Sequence, residues 1–156
     1  MSAASSLILT AVTGREDPID PREPIGALSE YYRAFNSRDL ALMQFNWARS
    51  DDISMANPFG GIRRGWPDIR EGYERVFNAP ATITVVFQDY TIHHLGEMFY
   101  AVGREQGELK GHNISLDLKF RTTRVFRLSG GRWRQIHHHG SIDNPELLLR
   151  YQATIR

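Results

Sequence analysis

The first half of the chain repeats hydrophobic residues at the three- and four-residue spacing of a one-faced helix. Leu28, Tyr31, Tyr32 and Phe35 follow Pro24 in this way, and proline is favoured in the first turn of a helix. We therefore predict a helix from about residue 24 to 36. Similar patterns predict a second helix capped by Asp39, a third over 67–77, and a short strand over 53–56.

The second half is rich in β-branched and aromatic residues separated by glycine-containing turns, which predicts four strands. The clearest covers residues 113–128, where Ile114, Leu116, Leu118 and Phe120 alternate with polar residues. Helices followed by such a meander predict an α+β fold. In it, a curved antiparallel or mixed sheet wraps around the N-terminal helices and leaves a cone-shaped body with an internal pocket.

Length and composition fit one ordinary globular domain. The chain has 156 residues, of which 41% are hydrophobic and 24% charged, with a formal net charge of +1. We assign residues 1–23 to a flexible arm, because prolines interrupt its second half, and residues 24–156 to the domain. The near-neutral charge argues against nucleic acid, and no apolar run is long enough to cross a bilayer. The absence of cysteine excludes thiolate chemistry and fits a cytoplasmic protein.

Two arginines fall on predicted inward faces. Continuing the even-numbered face of the long strand places Arg124 inside, and on the preceding strand Arg104 shares a face with Tyr100. Buried guanidinium groups need an anion. A carboxylate on a bound ligand could supply it, and so could the protein itself through Glu105, Asp117 or Glu74, or the arginines could extend to water. Tyr32 and Trp47 are expected in the core or cavity wall, with the Tyr32 hydroxyl as a donor.

A run of three histidines lies on the last predicted strand. By strand alternation, His137 and His139 share a face with Gln135, while His138 lies on the other face, and one set should face the cavity. The pair could hold a metal only with a third ligand, and a metal site is therefore not predicted. The histidines could instead pack at a subunit contact, or transfer protons as general acids or bases.

Three motifs in order resemble a known family: Asn-Pro-Phe-Gly-Gly at 57–61, Arg-Gly-Trp at 64–66, and a Gly-x-Trp strand at 131–141 that ends in His-x-His-x-Ser. The chain resembles the SnoaL-like branch of the nuclear transport factor 2-like superfamily over residues 25–142. It is also similar to the association domain of calcium/calmodulin-dependent protein kinase, which has pocket arginines on its last strands. Arg124, nine residues before Trp133, matches one of these in spacing. Arg104 matches a second less closely, and Gly140 stands where a third would be.

The resemblance implies a homodimer or larger assembly with a cone cavity, and functions that range from polyketide cyclases and ketosteroid isomerases to non-catalytic domains. The cyclases and isomerases use a cavity carboxylate as base, and no residue here matches it, since Asp117 falls on the polar face.

Our first hypothesis is a homodimer that binds a small acidic or aromatic molecule through the polar and aromatic side chains named above (Tyr32, Trp47, Tyr100, Arg104 and Arg124). If it is an enzyme, a histidine among His137, His138 and His139 would catalyse a cofactor-free isomerase, cyclase or hydratase reaction. The alternative is a non-catalytic oligomerisation domain whose cavity is filled by its own side chains.

Overall fold

The computed structural model describes residues 9–155 and contains four helices in that range. They are α1 (Pro24–Ser37), α2 (Leu40–Asn46), α3 (Gly65–Phe77) and α4 (Pro145–Ile155). The carboxylate of Asp39 caps α2, accepting a hydrogen bond from the backbone N–H of Leu42 at 2.9 Å. The first three helices begin and end within about two residues of their predicted bounds. The side chain of Asn144 caps α4, with its Oδ1 accepting from the backbone N–H of Leu147 at 3.0 Å.

Six strands form one mixed sheet in the described chain. They are β1 (Ser54–Ala56), β2 (Arg63–Arg64), β3 (Ala81–Leu95), β4 (Met98–Gly111), β5 (Ser115–Ser129) and β6 (Arg132–Ser141), arranged in the order β2-β1-β6-β5-β4-β3. Only β1 and β6 run parallel, and β3 to β6 form the predicted antiparallel meander. The α+β prediction with N-terminal helices against an open sheet is confirmed.

The hairpin between β4 and β5 decides which residues face the helices. Its register pairs Lys110 with Ser115, and hence Ala101 with Arg124 and Glu105 with Phe120. Residues directly opposite each other in an antiparallel pair project to the same face. The even positions of β5 therefore face inward as predicted, but so do the odd positions of β4.

This register corrects one sequence prediction. Tyr100 and Arg104 lie on the outer face of the sheet, where Tyr100 stacks on His93 with ring centroids 4.5 Å apart. Arg104 forms a solvent-exposed ion pair with Asp143 at 3.8 Å. Both residues were expected inside because all five residues from Met98 to Val102 are apolar, so hydrophobicity alone does not reveal the strand's inner face.

A β-bulge changes the faces of β6. Phe126 pairs with Gln135 while Val125 pairs with His137, so Ile136 is an extra residue without a partner on β5. Beyond the bulge the alternation is reversed. His138 therefore shares the buried inner face with Trp133 and Gln135, and the prediction that His137 and His139 share that face is wrong.

The segment before α1 is packed against the domain from residue 9 onwards, although residues 1–8 of the predicted arm lie outside the described residues. Val12 is buried and exchanges two backbone hydrogen bonds with Phe87, at 2.8 and 2.9 Å. The Glu16 carboxylate accepts from the Thr13 backbone N–H and from the Ser29 hydroxyl of α1. Residues 9–23 thus lack regular helix or longer strands, as their prolines predict, but they are not a free arm.

Candidate functional site

A cavity lies between the inner face of the sheet, helices α1 and α3, and the C-terminal helix. Its volume is about 50 Å³, which leaves room for a few water molecules at roughly 10–15 Å³ each. Aromatic and aliphatic side chains form most of its wall, including Tyr31, Tyr73 and Tyr151. Glu105, Arg124 and His138 are the charged or titratable non-tyrosine groups that line it. The cavity is thus small and apolar, with polar groups supplied by three neighbouring strands.

Arg124 points into the interior, as the alternation of β5 predicts, and is 1% exposed. Its Nε donates to the Tyr32 hydroxyl at 3.3 Å, and its Nη1 donates to Oε1 of Gln135 at 2.8 Å. The guanidinium carbon lies 3.4 Å from the centroid of the Tyr31 ring, a cation–π contact. Arg124 is therefore held on three sides by protein groups.

The anion that balances Arg124 is the carboxylate of Glu105. Oε1 of Glu105 lies 3.5 Å from Nη2 of Arg124, and both side chains are almost fully buried. The Thr122 hydroxyl also donates to Glu105 Oε1. Of the alternatives open at the sequence level, the internal carboxylate is thus the one observed, and it is Glu105 rather than Asp117 or Glu74. A charge-balanced pair of this kind is tolerated in an apolar interior where a lone guanidinium would not be.

His138 is buried and its ring is oriented by a backbone contact. Nδ1 lies 3.3 Å from the carbonyl oxygen of Thr123, and since a carbonyl only accepts, the proton belongs on Nδ1. Nε2 then carries a lone pair beside Gly140, another cavity residue, where an added Cβ would lie 3.1 Å from Nε2. Burial and the charge of Arg124 lower the pKa of His138 well below its ordinary 6.5, so the ring is neutral at pH 7.

The other two histidines of the run lie away from the cavity wall. Nδ1 of His137 is 2.8 Å from the Ser54 hydroxyl of β1, and partial burial lowers its pKa. His139 is exposed on the outer face, with its ring centroid 6.4 Å from that of His137. In residues 9–155 no three potential ligands of the His, Cys, Asp or Glu type come together in a way that could hold a metal ion.

The two predicted aromatic contacts lie in the core behind the cavity. Tyr32 and Trp47 are both fully buried, and neither lines the cavity. Tyr32 acts on the site through its hydroxyl, which accepts from Arg124, while the Trp47 indole donates to the Tyr73 hydroxyl at 3.2 Å. Of the two places expected for Trp47, the core and the cavity wall, the structure shows the core, and Tyr32 supports the guanidinium from behind.

Sequence reasoning missed two residues that surround Arg124: Glu105, which lines the cavity, and Gln135, which lies behind it on the inner face of β6. A hairpin loop over 112–114 pairs odd positions of β4 with even positions of β5. Once the alternation of β5 had placed Arg124 inside, this register was the signal that Glu105 also faces inward. Gln135 was assigned to a face with the wrong histidines because nothing in the sequence marks the bulge at Ile136.

Comparisons with known proteins identify the fold. The chain superimposes on a proposed dehydratase of the nuclear transport factor 2-like family from Streptomyces avermitilis with a TM-score of 0.68 at 18% identity, covering 74% of this chain and 89% of that one. A protein from Thiobacillus denitrificans, named as a candidate calcium/calmodulin-dependent protein kinase type II association domain, gives a TM-score of 0.65 at 22% identity, covering 82% and 100%. At these identities the likeness establishes the nuclear transport factor 2-like cone fold.

The family model of the SnoaL-like domain matches residues 26–145. The chain belongs to this family, as its motifs suggest. F-box protein SKIP8 of Arabidopsis thaliana is 25% identical over 137 residues, which are 86% of this chain and 56% of that protein. The chain thus spans little more than half the length of this curated relative. No helix in residues 9–155 is long and apolar enough to cross a membrane.

Proposed function

We propose that this SnoaL-like domain binds a small, neutral carbonyl compound in its cavity and that His138 exchanges a proton with it. The observation that carries the proposal is a buried imidazole that lines the cavity, with Nδ1 fixed by Thr123 and Nε2 beside Gly140, another lining residue. Nearby, Arg124 uses Nε and Nη1 for hydrogen bonds and Nη2 for the longer contact to Glu105. A guanidinium carries five N–H donors, so donors remain for a ligand oxygen.

The chemistry needs no cofactor. Nε2 of His138 takes a proton from the carbon next to the ligand carbonyl, and the electron pair of that C–H bond moves towards the carbonyl oxygen. Arg124 donates to the oxygen that gains negative charge. In a ligand with a β,γ double bond next to the carbonyl, the double bond shifts and return of the proton from His138 to the γ-carbon completes an isomerisation; in a saturated ketone the proton returns to the same carbon, which is exchange. The lowered pKa makes His138 a weak base that is ready at neutral pH, which suits substrates with an acidified C–H bond.

The internal ion pair argues against our first expectation of an acidic ligand. Glu105 already neutralises Arg124, so a ligand carboxylate would add an unbalanced negative charge to a buried site. The cavity volume of about 50 Å³ disfavours aromatic ligands larger than a single unsubstituted ring. A neutral molecule of a few heavy atoms matches both the charge and the space.

Butanone and propionate test this choice, because they contain the same number of heavy atoms and differ in charge. We expect butanone to raise the melting temperature and propionate to leave it unchanged, since only ligands that bind the native state stabilise it. Stabilisation by propionate alone would support the acidic ligand instead. In D₂O, wild type and His139→Gln should exchange the protons next to the butanone carbonyl faster than buffer, and His138→Gln should not. Equal exchange rates for wild type and His138→Gln would disprove the role of His138.

The second candidate is a non-catalytic assembly domain, which the closed Arg124–Glu105 pair and the small cavity favour. The homodimer it requires would form through the outer face of the sheet, where Met98 and Val102 are 39% and 41% exposed beside Tyr100. Val102→Asp should then convert a dimer to a monomer in sedimentation velocity. Under this function, butanone neither binds nor exchanges its protons, and Arg124→Met leaves the dimer intact.

A further inference from the structure

A chain of buried polar side chains connects helix α1 to the cavity. Glu30, Asn46, Gln135, Arg124 and Glu105 are 6%, 0%, 0%, 1% and 6% exposed, and each contacts the next. They come from α1, α2, β6, β5 and β4 in that order. Buried polar groups in an otherwise apolar core are costly unless every donor meets an acceptor, so the direction of each bond in this chain is constrained.

The direction is set at Asn46. Its Nδ2 donates to the backbone carbonyl of Ala27 at 2.9 Å and to Oε1 of Glu30 at 3.1 Å. Neither partner can donate. If the amide of Asn46 were reversed, its Oδ1 would face two other acceptors, the carbonyl of Ala27 and the carboxylate of Glu30. Its Oδ1 consequently faces Gln135 and accepts from Nε2 at 3.2 Å.

The direction passes from Asn46 to the cavity through Gln135. Because Nε2 of Gln135 donates to Asn46, Oε1 faces Arg124 and accepts from Nη1 at 2.8 Å. If the Gln135 amide were reversed, its NH₂ group would oppose the guanidinium, donor against donor. An acceptor for Arg124 is thus guaranteed only while Asn46 keeps its own orientation.

We propose that Asn46 is a positioning residue for the cavity: it orients Gln135 and so holds the Arg124 guanidinium against the wall that carries His138. Asn46 does not line the cavity and acts two hydrogen bonds away from it. The consequence for proton transfer depends on the proposed function, whereas the positioning of Arg124 does not.

The test is the pKa of His138 measured by NMR titration of its ring signals, together with the rate of rotation of the Arg124 guanidinium. The side chains at the cavity or beside His138 that could influence this titration are Arg124, Glu105, Tyr31, Tyr73, Tyr151, His137 and His139. The positive charge of Arg124 is one cause of the lowered pKa. In Asn46→Ser we expect faster guanidinium rotation and a His138 pKa that moves back towards its ordinary value, as Arg124 leaves its place.

Asn36→Ser is the matched control. Asn36 likewise makes three amide hydrogen bonds, but all of them join backbone groups, at Thr13 and at both backbone groups of Val85, and it is not part of the buried polar chain. It should lose stability without changing the His138 titration or the Arg124 rotation. Gln135→Met, which removes the acceptor itself, provides a second variant should Asn46→Ser fail to fold, and is expected to behave as Asn46→Ser does.

An unchanged His138 pKa and unchanged Arg124 rotation in the folded variants would overturn the positioning role. These readouts separate the two proposals. If the pKa shifts in Asn46→Ser while His138→Gln exchanges butanone protons as fast as wild type, the positioning role stands and the proposed function fails. If His138 is required for exchange but Asn46→Ser leaves both NMR readouts unchanged, the proposed function stands and the positioning role of Asn46 fails.

Discussion

Replacing Glu105 with glutamine should destabilise the domain strongly, because it leaves Arg124 as an uncompensated buried charge. The two side chains are 8% and 1% exposed and their charged atoms lie 3.5 Å apart. Removing one partner of such a pair costs about 3–5 kcal/mol. Glutamine can still accept a hydrogen bond, so we expect about 3 kcal/mol. For a domain of this size that corresponds to a fall in melting temperature of roughly 6–12 °C.

Urea denaturation of Glu105→Gln measures this loss, and Asp143→Asn is the control. Asp143 forms an ion pair with Arg104, the neighbour of Glu105 on β4. Both side chains of this pair are more than 40% exposed. An exposed pair contributes about 0–1 kcal/mol, so Asp143→Asn should be close to wild type. The double variant Glu105→Gln with Arg124→Met should recover part of the loss, since no charge is then buried. Equal stability of Glu105→Gln and Asp143→Asn would refute the internal charge balance of the cavity.

Two further predictions concern His138 and Gly107. The folded-state pKa of His138 lies well below its ordinary 6.5, so only the unfolded chain binds this proton just below pH 6.5. The neutral His138 ring therefore contributes its full share to the free energy of unfolding above pH 6.5. This contribution is lost as the pH falls, by about 1.4 kcal/mol per pH unit, until the folded-state pKa is reached. Urea midpoints between pH 7 and 5 should fall less steeply in His138→Gln than in wild type or His139→Gln, and parallel curves would contradict the assignment. Gly107→Ala should cost about 1–3 kcal/mol, because an added Cβ would lie 1.8 Å from the backbone oxygen of Thr84; an unchanged urea midpoint would show that β3 and β4 can separate freely there.

The sequence was sufficient for most of the elements and for the placement of one side chain of the candidate site. Strict alternation along β5 places Arg124 inside, because polar residues occupy every second position from 115 to 121 and leave one possible inner face. The α1 helix was equally clear, since its apolar residues keep helical spacing after Pro24. In both cases a local pattern coincides with the burial that the tertiary fold imposes.

The rest of the site depends on pairing between strands, which a local pattern does not contain. In β4, apolar residues occupy both faces near Tyr100, so the inner face is set by the hairpin register with β5 and not by hydrophobicity. In β6, the extra residue Ile136 reverses the alternation immediately before the histidine run. Glu105 and His138 were therefore misplaced or undecided for the same reason: each depends on a partner strand.

The bulge at Ile136 affects how the sequence of the last strand can vary in evolution. If Ile136 paired with Val125 and the bulge were lost, His137 and His139 would face the interior and His138 the solvent, whereas deletion of Ile136 would leave His138 opposite Arg124. Three consecutive imidazoles ensure that either frame presents at least one of them to the hollow. The final strand can thus tolerate a one-residue insertion or deletion and still keep a titratable ring in the interior.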